Sequence, residues 1–411
     1  SEKSDDDDSD DDPDDDDDIV EFHDDLLLMN PATGGEIYVF GGLQAKSVTI
    51  LGSGHTTHLS AETVRATTGD LTISDSLLVD GDCFLTADVG NIAIRPTNLG
   101  QGGMVDAENP NGSTATTDTL TLSAAGTITF EKAMGSTDAL DKLTITKATD
   151  VTFNQSLVVD GDVTINATGT VSFLGNVTIN KGGSLTVLGA SSITFSSGLV
   201  NLNDQANGSG GNIILEADTI TLPLTEDAIT ANAAGSTFTL RPTSTSRSIL
   251  LASPPASTSG TLNLSLTQLS KIDTATFAHI IIGHESDGHA NSGYTNAVQI
   301  GAINTQGLYT IETNLEVYGS TINVADFSSP DYVFVVDGTL KLDALNNIVI
   351  NNEIEAGVRG AGDRNAGTIE LYAKNGYIKQ ENPTLNLDAR TNEAIRANRL
   401  IVRASTGIDL P

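Results

Sequence analysis

The fold is decided by three short triplets, Leu143-Thr144-Ile145, Val151-Thr152-Phe153 and Leu157-Val158-Val159, each apolar at both ends. In an extended strand, successive side chains point to opposite faces, so each triplet sends two apolar side chains inward and one residue outward. The same set then recurs twice along the chain, as Val163-Thr164-Ile165, Val171-Ser172-Phe173 and Val177-Thr178-Ile179, and as Leu185-Thr186-Val187, Ile193-Thr194-Phe195 and Leu199 to Leu202.

The sets begin at residues 143, 163 and 185, which gives about 20 to 22 residues per turn and three short strands in each turn. Triplets this short do not form stable hairpins, but stacked turns bury one continuous core and pair each backbone with the next coil. The sequence therefore predicts an all-β fold, a right-handed parallel β-helix.

Aromatic residues support this register. One phenylalanine falls at the same place in each of four successive sets, which predicts an internal stack of Phe130, Phe153, Phe173 and Phe195. Cys83, the only cysteine, stands where the matching turn has Val163, so we expect it to be a small buried side chain and no disulfide to form.

A longer match fixes the corners of the coil. Residues 76–82, Ser-Leu-Leu-Val-Asp-Gly-Asp, recur as Ser-Leu-Val-Val-Asp-Gly-Asp at residues 156–162. Val336-Asp337-Gly338 repeats the end of this match once more. Because Asp-Gly suits a tight turn, Asp80, Asp160 and Asp337 are predicted to be corner residues and not catalytic acids.

The cadence divides the chain into a tail and two solenoid regions. Residues 1–25 form the tail, residues 26–222 the first solenoid region with an insertion at 95–118, and residues 223–411 its continuation with an insertion at 223–248. The chain lacks an initiator methionine and a signal peptide at its start, which suggests an excised part of a larger protein.

The tail is dominated by aspartate. Residues 1–18 hold thirteen acidic residues and one lysine, a density that predicts disorder. Hard cations take several carboxylate oxygens at once, so the tail is also a candidate calcium site, although a solvated linker explains the same residues. The candidate ligands are Asp5, Asp6, Asp7, Asp8, Asp10, Asp11, Asp12, Asp14, Asp15, Asp16, Asp17 and Asp18.

Composition excludes two classes of partner. With 20 basic and 54 acidic residues the net charge is −34, so a nucleic-acid backbone has no electrostatic reason to bind. No run reaches the roughly 18 to 20 apolar residues of a membrane span, so membrane insertion is not expected.

Several phrases resemble the giant secreted β-solenoid proteins of bacteria related to filamentous haemagglutinin. They are Gly211-Asn-Ile-Ile-Leu-Glu-Ala217, Gly367-Thr-Ile-Glu-Leu-Tyr-Ala373, the segment Thr261 to Gly283, and the stretch Val402 to Leu410. The resemblance implies export to the cell surface or extracellular matrix and a role in adhesion or as a stalk. It implies as partners other copies of the chain, the rest of a larger parent protein, or surface and matrix polysaccharide.

Three other functions are considered: metal binding, catalysis and ice binding. His279, His284 and His289 are five residues apart and invite a metal site, but residues five apart on a strand face opposite sides. A catalytic β-helix acting on acidic polysaccharide would need clustered carboxylates, whereas the acids here are spread among corners, so we expect no enzyme. Outward Thr-x-Thr pairs, such as Thr119/Thr121 and Thr127/Thr129, suggest ice binding, which their irregular spacing disfavours.

From the sequence we thus expect a structural and adhesive rod of a bacterial extracellular protein, able to assemble into a filament and to bind calcium.

Overall fold

A computed structural model describes residues 19–30, 35–60, 62–96, 102–108, 117–196, 198–202, 210–232, 235–251, 260–284, 293–301, 304–305, 310–324, 332–352, 354–357, 367–380 and 395–410. Its strands pair almost entirely in parallel, and the largest sheet has 24 of them. The predicted all-β, parallel β-solenoid fold is confirmed.

The first half of the described chain contains twenty strands. They are β1 (Ile19–Glu21), β2 (Leu26–Met29), β3 (Ile37–Val39), β4 (Gly42–Ala45), β5 (Val48–Ser60), β6 (Thr63–Ala66), β7 (Leu71–Asp80), β8 (Asp82–Ala87), β9 (Ile92–Arg95), β10 (Val105–Ala107), β11 (Thr119–Ala124), β12 (Ile128–Phe130), β13 (Lys142–Ala148), β14 (Val151–Phe153), β15 (Leu157–Val159), β16 (Val163–Ala167), β17 (Thr170–Phe173), β18 (Val177–Ile179), β19 (Leu185–Phe195) and β20 (Val200–Leu202).

The second half adds nineteen strands, one short helix and a 3-10 turn at Thr274–Thr276. They are β21 (Ile213–Thr221), β22 (Ile229–Ala231), β23 (Thr237–Arg241), β24 (Ser248–Leu251), β25 (Thr261–Leu264), α1 (Leu266–Leu269), β26 (His279–Ile282), β27 (Ala297–Ile300), β28 (Asn304–Thr305), β29 (Asn314–Gly319), β30 (Thr321–Val324), β31 (Tyr332–Val336), β32 (Thr339–Ala344), β33 (Ile348–Ile350), β34 (Ile354–Ala356), β35 (Thr368–Ala373), β36 (Tyr377–Lys379), β37 (Ile395–Arg396), β38 (Arg399–Ala404) and β39 (Gly407–Asp409).

The strands stack into three ladders, one on each face of the coil. The first ladder is continuous through fifteen described strands: β1, β4, β6, β8, β11, β13, β16, the start of β19, the start of β21, β23, β26, β29, β32, β35 and β38. At about 4.8 Å between strands it extends about 67 Å along the axis.

The predicted coil length is confirmed where the triplets are regular. Leu143 pairs with Val163 and Val163 with Leu185, so these coils take 20 and 22 residues. Later coils are longer, as shown by the pairing of Leu215 with Leu240. The extra residues lie between strands, which leaves the inward positions in register.

Residues 223–248 differ from the predicted insertion. Strand β22 continues the third ladder through Ile229, which pairs with Val200, and β23 continues the first through Phe238, which pairs with Ile213. Strand β10 likewise lies within the predicted insertion 95–118 and pairs with β7. The cadence is lost in the sequence at these places because the corners lengthen, while the strands persist.

Strand order departs from chain order on the second face. Strand β24 pairs with β25 on one side and with β27 on the other, and β25 also contacts β21. The later strand β25 therefore lies between β21 and β24.

The core follows from the predicted inward positions. The rings of Phe130, Phe153, Phe173 and Phe195 stack in parallel, with centroids 4.8, 5.3 and 4.8 Å apart, so the predicted aromatic stack is confirmed. Cys83 is fully buried, and its Sγ lies 3.1 Å from the carbonyl oxygen of Leu59.

Glycines allow close approach of successive coils at one corner. A Cβ on Gly183 would lie 2.3 Å from the carbonyl of Gly161, and a Cβ on Gly211 would lie 1.7 Å from the carbonyl oxygen of Gly183. Backbone therefore packs on backbone here, and no larger residue fits without moving a coil.

Candidate functional site

The twelve aspartates predicted to bind calcium all lie outside the described residues. The described chain begins at Ile19, and β1 already pairs with β4, so the first ladder starts within residues 1–25. Calcium binding by the tail stays a prediction.

The predicted corner aspartates lie at the ends of strands on the third face. Asp80 ends β7, Asp160 follows β15 and Asp337 follows β31. Asp160 accepts a hydrogen bond from Asn180 at 2.9 Å and forms an ion pair with Lys181 at 2.9 Å. Asp160 is therefore held at its corner by residues of the next coil.

A buried acid, Asp118, completes this corner. Its Oδ1 accepts a hydrogen bond from the backbone N–H of Gly81 at 2.9 Å. Burial raises the pKa of Asp118, and the nearby charges of Asp80, Asp141 and Glu108 raise it further, against the lowering effect of the Gly81 hydrogen bond. The carboxylates at this corner therefore repel one another. The ion pairs of Lys181 with Asp141 and Asp160 partly offset this repulsion.

The histidines do not converge. The Nδ1 atom of His279 lies 2.9 Å from a carboxylate oxygen of Glu316, while the Nε2–H of His284 donates to the carbonyl oxygen of Pro242 at 2.6 Å. Burial lowers the pKa of His284, which fits a neutral imidazole that donates to a carbonyl. His289 lies outside the described residues. Within the part of the chain that the structure describes, no group of three or more His, Cys, Asp or Glu side chains is arranged to hold a metal ion.

Outward hydroxyl groups are more regular than the sequence indicated. On the second face two files run in register across β17, β19 and β21: Thr170, Ser192 and Thr219 in one file, and Ser172, Thr194 and Thr221 in the other. The pairs considered in the sequence lie on different faces, with Thr119 and Thr121 in β11 on the first face and Thr129 in β12 on the second, whereas these two files run on one face. The different coil lengths conceal the register in the sequence.

One cleft of about 460 Å³ has four acids among its lining residues, and we call it the acidic cleft. It is bounded by Glu226, Asp227, Asp273 and Glu312, with hydroxyl groups from α1 and the 3-10 turn. Burial raises the pKa of Asp273, and the charge of Asp227 raises it further.

A second cleft, of about 530 Å³, combines both signs of charge, and we call it the mixed-charge cleft. It lies on the outward side of the first ladder where β32, β35 and β38 run side by side. Its lining residues with polar side chains are Lys341, Asp343, Glu370, Tyr372, Lys374, Arg403 and Ser405.

Contacts within the mixed-charge cleft fix two of its cations. Lys341 lies 3.3 Å from Glu316 and 2.7 Å from the hydroxyl of Tyr318. Lys374 donates to the hydroxyl of Tyr294 and lies 3.5 Å from the buried carboxylate of Asp343.

Sequence reasoning missed both clefts. Lys341, Glu370 and Ile401 are paired across β32, β35 and β38, as are Asp343, Tyr372 and Arg403. The available signal was the alternation in Thr368-Ile-Glu-Leu-Tyr372, which places Glu370 and Tyr372 on the outward side. Their neighbours come from distant coils, and only the register brings them together.

No protein-family model matches this chain, and neither a curated protein nor a solved structure matches it significantly. The resemblance to filamentous-haemagglutinin-like proteins therefore stays a prediction, while the parallel solenoid is shown by the structure itself. Among the described residues, no helix has the length and apolar character needed to cross a membrane.

Proposed function

We propose that this chain is a rod-like structural segment of a bacterial extracellular surface protein. The observation that supports the proposal is the continuity of the first ladder from β1 to β38. Its hydrogen bonds run along the rod axis, so a pull on the two ends is carried at each junction by the hydrogen bonds and apolar contacts that join one coil to the next. Such a rod holds other parts of a protein away from the surface that carries it.

Assembly with other copies, or with adjoining parts of a larger chain, is the second element of the proposal. The first coil exposes apolar side chains, among them Leu27 at 53%, Met29 at 56% and Phe40 at 71%. In the described structure, β1, β2 and β3 each pair on one side only. Open strand edges beside exposed apolar groups favour pairing with a further coil.

Calcium enters the proposal through the tail. Divalent cations would reduce the repulsion among the twelve aspartates and bridge them to acids of another copy or to an acidic matrix polysaccharide. The partner that we propose for the whole rod is a surface or matrix polysaccharide, to which the rod adheres.

Negative-stain imaging and sedimentation of the full chain, with about 1 mM calcium or with chelator, test these elements separately. Rods about 67 Å long in both conditions support the structural role. Filaments that need calcium, and that a variant lacking residues 1–18 does not form, support the tail as the assembly device. Compact particles without an elongated axis would contradict the rod.

A catalytic β-helix is the alternative, and the acidic cleft is the observation that favours it. A carboxyl group with a raised pKa beside a second carboxylate, as with Asp273 and Asp227, is an arrangement used for acid catalysis on glycosides. Four acids in one cleft repel an acidic substrate, and among the described residues they are not arranged to hold a metal ion that would offset this repulsion, so this alternative is the weaker of the two. Release of reducing ends from polygalacturonate with calcium, abolished by Asp273→Asn, would establish this alternative.

A further inference from the structure

We infer that the mixed-charge cleft binds a carboxylated sugar residue of a glycan, with Arg403 holding the carboxylate and Glu370 accepting sugar hydroxyl groups. The inference deepens the proposed adhesive role and rests on it only for the origin of the glycan. The recognition chemistry is argued from the cleft alone.

Arg403 is the cation of the cleft that is left for a ligand. Lys341 and Lys374 are each held by a carboxylate and a tyrosine hydroxyl. Among the described residues no carboxylate lies within ion-pair distance of Arg403, whose guanidinium carbon lies 5.7 Å from the ring centre of Tyr372. The Arg403 side chain is exposed, and its planar fork of N–H donors matches a carboxylate with two parallel hydrogen bonds.

Glu370 supplies the complementary acceptor. It lies beside Lys341 in the ladder and accepts a hydrogen bond from the hydroxyl of Tyr372 at 3.1 Å. A carboxylate accepts at about four positions, so most of its capacity remains for a ligand. A bare inorganic anion would be repelled by Glu370, whereas sugar hydroxyl groups donate to it.

Size and charge narrow the ligand further. About 530 Å³ lies within the usual range for small-molecule sites, roughly 300 to 1,000 Å³. The chain carries a net charge of −34, so a long polyanion is repelled by the rest of the molecule. A short glycan with one carboxylate gains the Arg403 contact and meets the least repulsion.

Isothermal titration calorimetry of the full chain with a glucuronate-containing disaccharide tests the inference. Chelator is present throughout, so that calcium bridging by the tail does not contribute. We expect saturable binding that Arg403→Gln weakens about tenfold or more. Glu370→Gln should also weaken binding. Arg399→Gln is the matched control, because Arg399 is exposed on the same side of the same strand outside the cleft, and it should stay within about twofold.

Two further ligands, a neutral disaccharide and inorganic sulfate, distinguish recognition of a carboxylated sugar from binding of a simple anion. The neutral disaccharide of the same linkage should bind about tenfold more weakly or worse, since it lacks the carboxylate. Inorganic sulfate should compete poorly, and equal competition by sulfate would show a simple anion site and overturn the assignment to a sugar. Absence of saturable binding by the parent chain at about 10 mM disaccharide, or equal losses in the Arg403 and Arg399 variants, would also overturn it.

Imaging the same variants separates this inference from the proposed function. Both arginines are exposed, so rods should look the same in all variants. Loss of sugar binding with intact rods bears on the cleft alone, and failure to see rods while binding persists bears on the structural role alone.

Discussion

The ring of Phe153 lies parallel to that of Phe173, with 5.3 Å between their centroids and 1° between their planes. Phe173 also stacks on Phe195, so it is fully enclosed by like neighbours from the coils on both sides. This arrangement makes the aromatic stack a test of how the solenoid core is held together.

Phe173→Ala should lower the free energy of unfolding by about 3 to 5 kcal/mol, because it leaves a ring-sized cavity between two rings that cannot collapse into it. Phe173→Leu should cost less. Urea unfolding measures both, with Ser172→Ala, whose side chain points outward on the same strand, expected within about 0.5 kcal/mol of the parent. A small loss for Phe173→Ala would show that the coils close up around the gap.

Gly183→Ala should destabilise the chain by about 1 to 3 kcal/mol, because the new methyl group meets the backbone of Gly161 in the preceding coil. The matched control is Gly407→Ala, where an added Cβ has no neighbour within 4 Å. Thermal unfolding of the two variants should separate them clearly, and equal midpoints would contradict close packing at this corner.

Asp118→Asn should stabilise the chain at pH 7 by about 0.5 to 1 kcal/mol. Asparagine keeps the oxygen that accepts from Gly81 and removes the charge that Asp80, Asp141 and Glu108 repel. Because the pKa of Asp118 is raised in the folded state, its charged form destabilises the fold above that pKa, and the penalty disappears as the pH falls below the unfolded value of 3.8. The gain in stability should therefore be present at pH 7 and absent below pH 3.8. Urea unfolding of the parent and the variant in both conditions measures it.

His284 predicts a pH dependence of the opposite sense. Its pKa is lowered on folding, so the unfolded state binds the proton first, and stability that is present above pH 6.5 is lost as the pH falls towards the folded pKa. His284→Gln retains a donor for Pro242 but not the titration, so its stability should change less than that of the parent between about pH 6.5 and 5. The free energy of unfolding of each protein is measured in urea across this pH range. If it changes with pH equally in the parent and in the variant, a role for His284 is refuted.

Cys83 should resist a thiol reagent in the native state and react when its coil opens, since its side chain is fully buried. Labelling in increasing urea should follow the loss of ellipticity. For comparison, Phe84→Cys in a Cys83→Ala background places the thiol at a neighbouring exposed position and should label at once. Fast labelling of native Cys83 would mean that the first ladder opens locally at this coil.

The sequence predicts the structure well where the coils have constant length and poorly where the corners vary in length. Phe130 to Phe195 are predictable because three strands repeat at nearly constant spacing and the inward side is uniformly apolar. The register beyond Leu202 is not, because corner lengths vary and a strand such as β23, with Phe238 inward, no longer falls at the expected interval. The mixed-charge cleft is not predictable from the sequence for the same reason. Lys341, Glu370 and Arg403 become neighbours only after two long coils are paired.

The position of β25 has a consequence for the order of events during folding. Coils up to β23 are able to settle one upon another in the order in which they are synthesised. Strand β24 is made before β25 but has its native neighbour on that side only once β25 has arrived. If the coils form in chain order, β24 can join the second face only once residue 264 is available, so the coils up to β23 and those from β24 onward would form in two separate stages.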